Sequence, residues 1–167
     1  MMTKRNFLAA GASAGALGAL YAALGLGRGE RAKAAETFEV TKTEEEWRKQ
    51  LTAEQFEVLR KQGTEAPFTS ALLNEHRKGT FNCAGCDLPL YSSETKFDSG
   101  TGWPSFWAAI DGAVRNEEDN SLFMTRIEEH CRRCGGHLGH VFDDGPKPTG
   151  KRHCIDGVAL QFRPATA

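Results

Sequence analysis

The five cysteines and five histidines of this 167-residue chain are the side chains best suited to bond-making chemistry. Four of the cysteines form two C-x-x-C pairs, Cys83-Ala-Gly-Cys86 and Cys131-Arg-Arg-Cys134, with 44 residues between them. Each pair turns two thiolates toward one point, and two such pairs complete the tetrahedral four-sulfur shell of a structural Zn²⁺ ion. Two disulfides, or one redox-active C-x-x-C, are the alternatives for cysteines in an oxidising compartment. Neither pair has the strand-then-helix context and preceding aromatic of a thioredoxin-like motif. His137 and His140, in CRRCGGHLGH, offer a local Cys-Cys-His-His site, but that arrangement strands Cys83 and Cys86. Catalytic zinc keeps three protein ligands and an open position, so a shell of Cys83, Cys86, Cys131 and Cys134 reads as a staple. Both histidines are then free for other work.

Cys154 stands apart in GKRHCIDG, with Lys151, Arg152 and His153 before it. The thiolate is the reactive form of cysteine, and neighbouring cations stabilise it. On a strand, Arg152 and Cys154 project from the same face. A buried, inert thiol flanked by solvated cations fits the same local pattern, which leaves both readings open. The preceding DDGPKPTG is a Gly/Pro-rich loop of the kind that forms the rim of a site.

These residues need a scaffold, and the composition sets its class. With 40% hydrophobic and 26% charged residues and a net charge of −1, the chain reads as one ordinary globular domain. That excludes a disordered chain, a collagen-like repeat or a multi-span membrane protein. The odd cysteine count argues against a fold held together only by disulfides. Thr43 with Glu46 and Thr52 with Gln55 match the capping box and predict two short helices, with Trp47 and Leu51, then Phe56 and Leu59, on their apolar faces. Gly63 is the expected stop, and residues 71–76 a further helical turn. After Gly79 the segments GTFNC, LPLYSS, GAVRN, SLFMTRIEE, HLGHVFD and RHCIDGVALQF each read as a strand bounded by turn residues. The predicted fold is mainly β and antiparallel, preceded by short helices.

The near-neutral charge conceals a division. Residues 1–34 hold five basic side chains against one acidic, a charge of +4, whereas the other 133 residues total −5. An acidic main domain disfavours nucleic acid as a partner. Between Arg5 and Arg28 lie 22 uncharged residues, mostly Ala, Gly and Leu, ahead of Ala32-Lys33-Ala34. This basic, apolar, A-x-A order predicts an export signal ending at Ala34 and a periplasmic or other extracytoplasmic destination. The start TKRNFLA resembles the twin-arginine motif with Lys4 for the first arginine. An uncleaved anchor over residues 6–27 is the alternative, because 22 residues can span a bilayer.

Two longer stretches, SGTGWPSF at residues 99–106 and CGGHLGHVFDDGPKPTGKRHCIDG at residues 134–157, together with both C-x-x-C pairs, resemble the B-type methionine sulfoxide reductases. The likeness runs from about residue 43 to 163. It implies a barrel-like antiparallel domain over residues 43–165, behind a linker at 35–42, stapled by one zinc ion. It implies that Cys154 attacks the sulfur of the R epimer of methionine sulfoxide, releasing methionine and becoming a sulfenic acid. His140, with His137 close by, is implied to protonate the sulfoxide oxygen, which leaves poorly until protonated. By the same resemblance Arg152 stabilises the thiolate, Trp103 walls the pocket for the substrate methyl group, and Asp156 lies against substrate. Asp156 stands where many members carry asparagine, and His153 where tyrosine is common. Thr101 occupies the place where many members carry a resolving cysteine, so the chain reads as a one-cysteine enzyme. Its partners are then oxidised proteins and an external thiol, either a small molecule or a thioredoxin-like or glutaredoxin-like protein, with the enzyme a monomer.

Two other classes are weighed against this. A zinc-ribbon binding module explains the knuckles but leaves Cys154 and the histidines idle. A zinc deaminase requires H-x-E with P-C-x-x-C, and neither occurs in the sequence.

Overall fold

In the computed structural model, which describes residues 37–121 and 124–166, two threonines start the two α-helices. The Thr43 hydroxyl accepts the Glu46 N–H at 3.3 Å, and the Glu46 carboxylate accepts the Thr43 N–H at 2.8 Å. Thr52 and Gln55 repeat the exchange at 3.2 and 3.1 Å. Each box satisfies amides that the first helical turn leaves free, and loss of such a cap costs about 1 kcal/mol. Helix α1 (Glu44–Gln50) buries Trp47, and α2 (Ala53–Lys61) buries Phe56, Val58 and Leu59. The stop falls one residue before the expected glycine: Gln62 takes the left-handed conformation at φ 55°, and the Gly63 N–H reaches back to Glu57 O at 2.9 Å. Residues Ala71–Asn74 form a 3₁₀ turn where a helical turn is expected. The predicted signal or anchor, residues 1–34, lies outside the described residues. Among those described, no helix is long and apolar enough to cross a membrane.

Among the described residues nine strands follow: β1 (Gly79–Cys83), β2 (Pro89–Ser92), β3 (Lys96–Phe97), β4 (Ser105–Phe106), β5 (Val114–Asp119), β6 (Arg126–Cys131), β7 (His137–Phe142), β8 (Arg152–Ile155) and β9 (Leu160–Pro164). All pairings are antiparallel, in a three-stranded sheet ordered β2-β1-β9 and a six-stranded sheet ordered β3-β4-β8-β7-β6-β5. The mainly β, antiparallel expectation holds, but both strand orders are open and neither sheet closes into a barrel. RHCIDGVALQF is not one strand. A 3₁₀ turn at Gly157–Ala159 splits it, sending β8 to one sheet and β9 to the other. The strand expected at SLFMTRIEE begins only at Arg126.

The core lies between the sheets. Tyr91 from β2 stacks on Phe106 from β4 with centroids 4.3 Å apart, and Phe81 from β1 meets Phe106 edge-on at 5.0 Å. All three rings are fully buried, each contributing roughly 2–3 kcal/mol of apolar transfer. The Tyr91 hydroxyl bonds to the fully buried Glu129 carboxylate, whose second oxygen lies 2.7 Å from His153 Nδ1. This link gives the buried polar groups their hydrogen-bond partners and ties β2 to β6 and β8. It also settles the position of His153, which points into the core, away from the face that carries Cys154.

Candidate active site and metal centre

Strands β1 and β6 run into the same turn. The Cys83 N–H donates to Leu88 O and the Asp87 N–H to Cys83 O, both at 2.8 Å; the Cys131 N–H donates to Gly136 O and the Gly135 N–H to Cys131 O, again at 2.8 Å. Asp87 and Gly135 hold equivalent left-handed positions, at φ 58° and 64°. Two copies of one knuckle thus face each other across the two sheets. The four sulfurs lie within 4.8 Å of one another, with Cys83 to Cys134 at 3.7 Å and Cys86 to Cys131 at 3.5 Å. A tetrahedral zinc with Zn–S bonds of ~2.3 Å requires sulfurs ~3.8 Å apart, so the donor set fits the ion. Among the described residues these cysteines are the one group arranged to hold a metal, and the Cys-Cys-His-His alternative does not form.

Sequence reasoning missed Arg60. Its guanidinium donates to Cys134 Sγ at 3.3 Å and to Cys134 O at 2.9 Å, and lies 4.3 Å over the Trp47 ring. A Zn²⁺ with four thiolates carries a net charge of −2, and Arg60 offsets part of it. It also couples both helices to the metal centre.

Cys154 sits elsewhere, in a row of directly opposed residues that crosses four strands. Glu128 on β6 opposes His140 on β7, His140 opposes Cys154 on β8, and Cys154 opposes Ser105 on β4. Opposed residues in an antiparallel pair share a face, so the register alone places imidazole beside thiol. His137 is three residues from His140 and in a regular strand would face the other way. A bulge corrects this: Glu129 pairs with Gly139 but His130 pairs with His137, leaving Leu138 as the extra residue. The two imidazoles then meet edge-on, 5.5 Å between centroids. Gly139 makes the bulge possible, since its φ is 149° and a Cβ there would stand 2.1 Å from Cys154 O.

Each histidine has a carboxylate partner. His137 Nδ1 lies 2.7 Å from Glu128, and His140 Nε2 lies 2.9 Å from Asp119 at the end of β5. Asp119 also accepts from the Ser121 N–H at 2.9 Å and from Arg126 at 2.6 Å, and hydrogen bonds from Ser121 foremost, then from His140 and Arg126, hold it far below the usual carboxylate range. Burial nonetheless pushes the His140 imidazole below its ordinary value, against the pull of Asp119. His137 is buried and its Nε2 has no hydrogen-bond partner; the nearest carboxylate oxygen, from Asp156, is 3.9 Å away.

The Cys154 thiol answers to opposing influences. Burial raises it above the ordinary thiol value, and the charge of Asp156 adds to that. The Thr101 hydroxyl and the Arg152 guanidinium pull it down, but burial wins. Of the two readings the local sequence leaves open, neither is met in full: the Arg152 cation moderates the effect of burial without reversing it. Arg152 shares the face of Cys154, as expected, and is fixed by a two-pronged bond to Asp144 at 2.8 and 2.9 Å and by the Phe142 ring 4.3 Å away.

Glu65, also missed, clamps the remaining candidates. Its carbonyl accepts the Trp103 indole N–H at 3.1 Å, its own N–H donates to Asp156 at 2.8 Å, and its carboxylate accepts the Gly157 and Val158 amides. Trp103 borders a groove of about 470 Å³ shared with Phe68 and Leu73. Asp156 is 3% exposed, and burial pushes its carboxyl up to about 7.

A half-buried thiol opposite a carboxylate-braced imidazole, built apart from a four-sulfur cluster whose geometry is compatible with a structural metal, has the layout of a thiol-chemistry site. The SelR domain family matches residues 51–164. The chain is 58% identical over 125 residues to the peptide methionine sulfoxide reductase MsrB of Methanosarcina barkeri, covering 74% of this chain and 88% of that one. It is 52% identical over 127 residues to the protein of the same name from Leptospira interrogans, covering 75% and 97%. The chain belongs to the MsrB family.

Proposed function

We propose that this protein reduces the R epimer of methionine sulfoxide in oxidised proteins, with Cys154 as nucleophile. The observation that carries the reading is the cross-strand register, which sets His140 opposite Cys154 while the other four cysteines cluster apart from it in an arrangement that fits a metal. The thiolate attacks sulfoxide sulfur, a proton passes to the sulfoxide oxygen, and the S–O bond breaks. The S–S bond made in the attack then breaks as the released hydroxide adds to the Cys154 sulfur, so that methionine leaves and Cys154 carries the oxygen as a sulfenic acid. His140 supplies the proton, and Arg152 supports the thiolate. Trp103 walls the methyl group, a use of sulfur–aromatic affinity. His137 presents its unpartnered Nε2 beside Asp156. A protonated Asp156 carboxyl offers an O–H there, in place of the N–H of an asparagine. The four-cysteine zinc holds the scaffold and takes no part in the reaction.

Thr101 puts a hydroxyl 3.7 Å from Cys154 Sγ, in the position where the resemblance places a resolving cysteine in many family members. An external thiol therefore closes the cycle, two thiols giving one disulfide, water and free Cys154. Incubating the domain with both epimers and dithiothreitol tests the whole reading. Only the R epimer should be consumed, and peptide mass spectrometry after one turnover without reductant should find Cys154 in no intramolecular disulfide. Consumption of the S epimer alone would refute the assignment. The basic, apolar, A-x-A order of residues 1–34 supports export of this activity from the cytoplasm, by a twin-arginine-like route.

The pH dependence follows from the two shifts. Attack needs Cys154 deprotonated and His140 protonated, yet the thiol lies above its ordinary value and the imidazole below its own. The competent pair is then a minority form whose population is constant between the two pKa values and falls on either side. Asp119→Asn removes a group that raises His140 and so shrinks that population. The plateau of kcat/KM should drop about tenfold for each unit that His140 falls, and the acid limb should move to lower pH. The alkaline limb, set by Cys154, should stay in place. An unchanged plateau in this variant would remove His140 as the acid.

A further inference from the structure

Behind Cys154 lies a line of hydroxyls that the reaction above does not use. Thr101 Oγ1 is 3.7 Å from Cys154 Sγ, Ser99 Oγ is 2.8 Å from Thr101 Oγ1, and Ser105 Oγ is 2.7 Å from Ser99 Oγ. The line ends on the Trp103 carbonyl, which accepts from Ser105 at 3.1 Å. Ser105 is fully buried and opposes Cys154 across the β4–β8 pair, so both ends of the line are fixed by the same sheet register. Each hydroxyl has one proton to give and can accept others, so a chain of them has two consistent directions.

We infer that Thr101, Ser99 and Ser105 form a reversible hydroxyl chain that accepts from the Cys154 thiol at rest and turns to donate to its thiolate during attack. In the thiol state the S–H donates to Thr101, Thr101 to Ser99, Ser99 to Ser105 and Ser105 to the Trp103 carbonyl. In the thiolate state the three O–H groups rotate, Ser105 donating to Ser99, Ser99 to Thr101 and Thr101 to S⁻. The chain is not a proton exit, because a peptide carbonyl is not a base. The thiol proton leaves on the open side of Cys154, to solvent or buffer. Thr101 is thus a positioning residue with a direct bond to the sulfur, and Ser105, through its bond to Trp103, biases the chain toward the thiol. Bonds along such a line polarise one another, which strengthens the last donor. The influence of Thr101 on the thiol has the required sign, since it lowers a group that burial raises.

The two ends should act in opposite directions. Removing Thr101 deprives the thiolate of its donor, whereas removing Ser105 deprives the thiol state of its terminus and leaves Ser99 and Thr101 free to point at sulfur. The inference rests on Cys154 being the reactive thiol but is read without sulfoxide, from the pH profile of iodoacetamide alkylation at Cys154 in the zinc-loaded protein. Peptide mass spectrometry follows that site alone. Thr101→Val should move the midpoint up by about one pH unit, the size expected for a hydrogen bond to a charged group. Thr101→Ser should keep it near the wild-type value, and Ser105→Ala should move it down. An unchanged midpoint in Thr101→Val overturns the inference, as does an upward shift in Ser105→Ala. Zinc content and circular dichroism check the fold, and Thr101→Ala replaces the valine variant if that one does not fold. A Cys154→Ser protein that still reduced sulfoxide would defeat the proposed function and leave the alkylation result standing.

Discussion

Cys154→Ser should lose methionine sulfoxide reduction by at least about 10³-fold, the scale seen when a nucleophile is removed from a preorganised site. A hydroxyl cannot replace the thiol, because it ionises far above neutral pH and does not pass reversibly through a sulfenic acid. The scaffold should survive. The side chain sits on the outer face of β8, away from the Tyr91, Phe106 and Phe81 rings, and serine can keep the contact to Thr101. Zinc content and melting temperature should therefore match the unmodified protein. Without reductant, that protein should release one methionine per chain and then stop, with Cys154 as a sulfenic acid that a carbon nucleophile such as dimedone traps. The serine variant should release none. Wild-type rates in the variant, with its fold intact, would remove Cys154 from the chemistry.

Cys83→Ser should act on the whole domain. Apparent zinc affinities of about 10–16 kcal/mol in small four-ligand sites match or exceed the entire net stability of a domain, about 5–15 kcal/mol. A metal held by the four cysteines would join the end of β1 in one sheet to the end of β6 in the other, and Arg60 links both helices to the same cluster. Losing one sulfur opens the shell and leaves three cysteines, two of them fully buried or nearly so, around a weakened ion. Metal analysis should show less than one zinc per chain, and the thermal transition should broaden and fall well below that of Cys154→Ser. A Cys83→Ser protein with full zinc and an unchanged melt would mean that Cys83 is not a ligand. An excess of a strong chelator should reproduce the effect on the unmodified chain, more slowly, because Cys83, Cys131 and Cys134 are buried.

The features readable in advance were those whose physics is local. A hydroxyl three residues before a carboxamide or carboxylate marks a helix start without tertiary help, and Thr43 and Thr52 do so. Two cysteines in one tight turn carry their geometry with them. Arg152 and Cys154 share a face because strands alternate. What escaped depends on partners distant in sequence. Strands β3 and β4 have two residues each, too few for any period, yet β4 supplies Ser105 opposite Cys154. The bulge at Leu138 is a property of a pair of strands, so HLGHVFD read alone places His137 and His140 on opposite faces. Neither Asp119 nor Glu65 belongs to a motif in the sequence. Each acquires a role only when the fold brings it to His140 or to Trp103 and Asp156.

The row Glu128, His140, Cys154, Ser105 makes strand alignment and reactivity one specification. Side chains alternate between core and outer face, so sliding β8 by one position against its neighbours would bury the thiol and turn His153 outward in its place. A conservative replacement on this row weakens one contact, whereas one inserted or deleted residue inside β7 or β8 reassigns every contact at once. For this enzyme the grammar of the sheet matters more than its vocabulary: spelling changes can be tolerated, but frame changes within these two strands cannot.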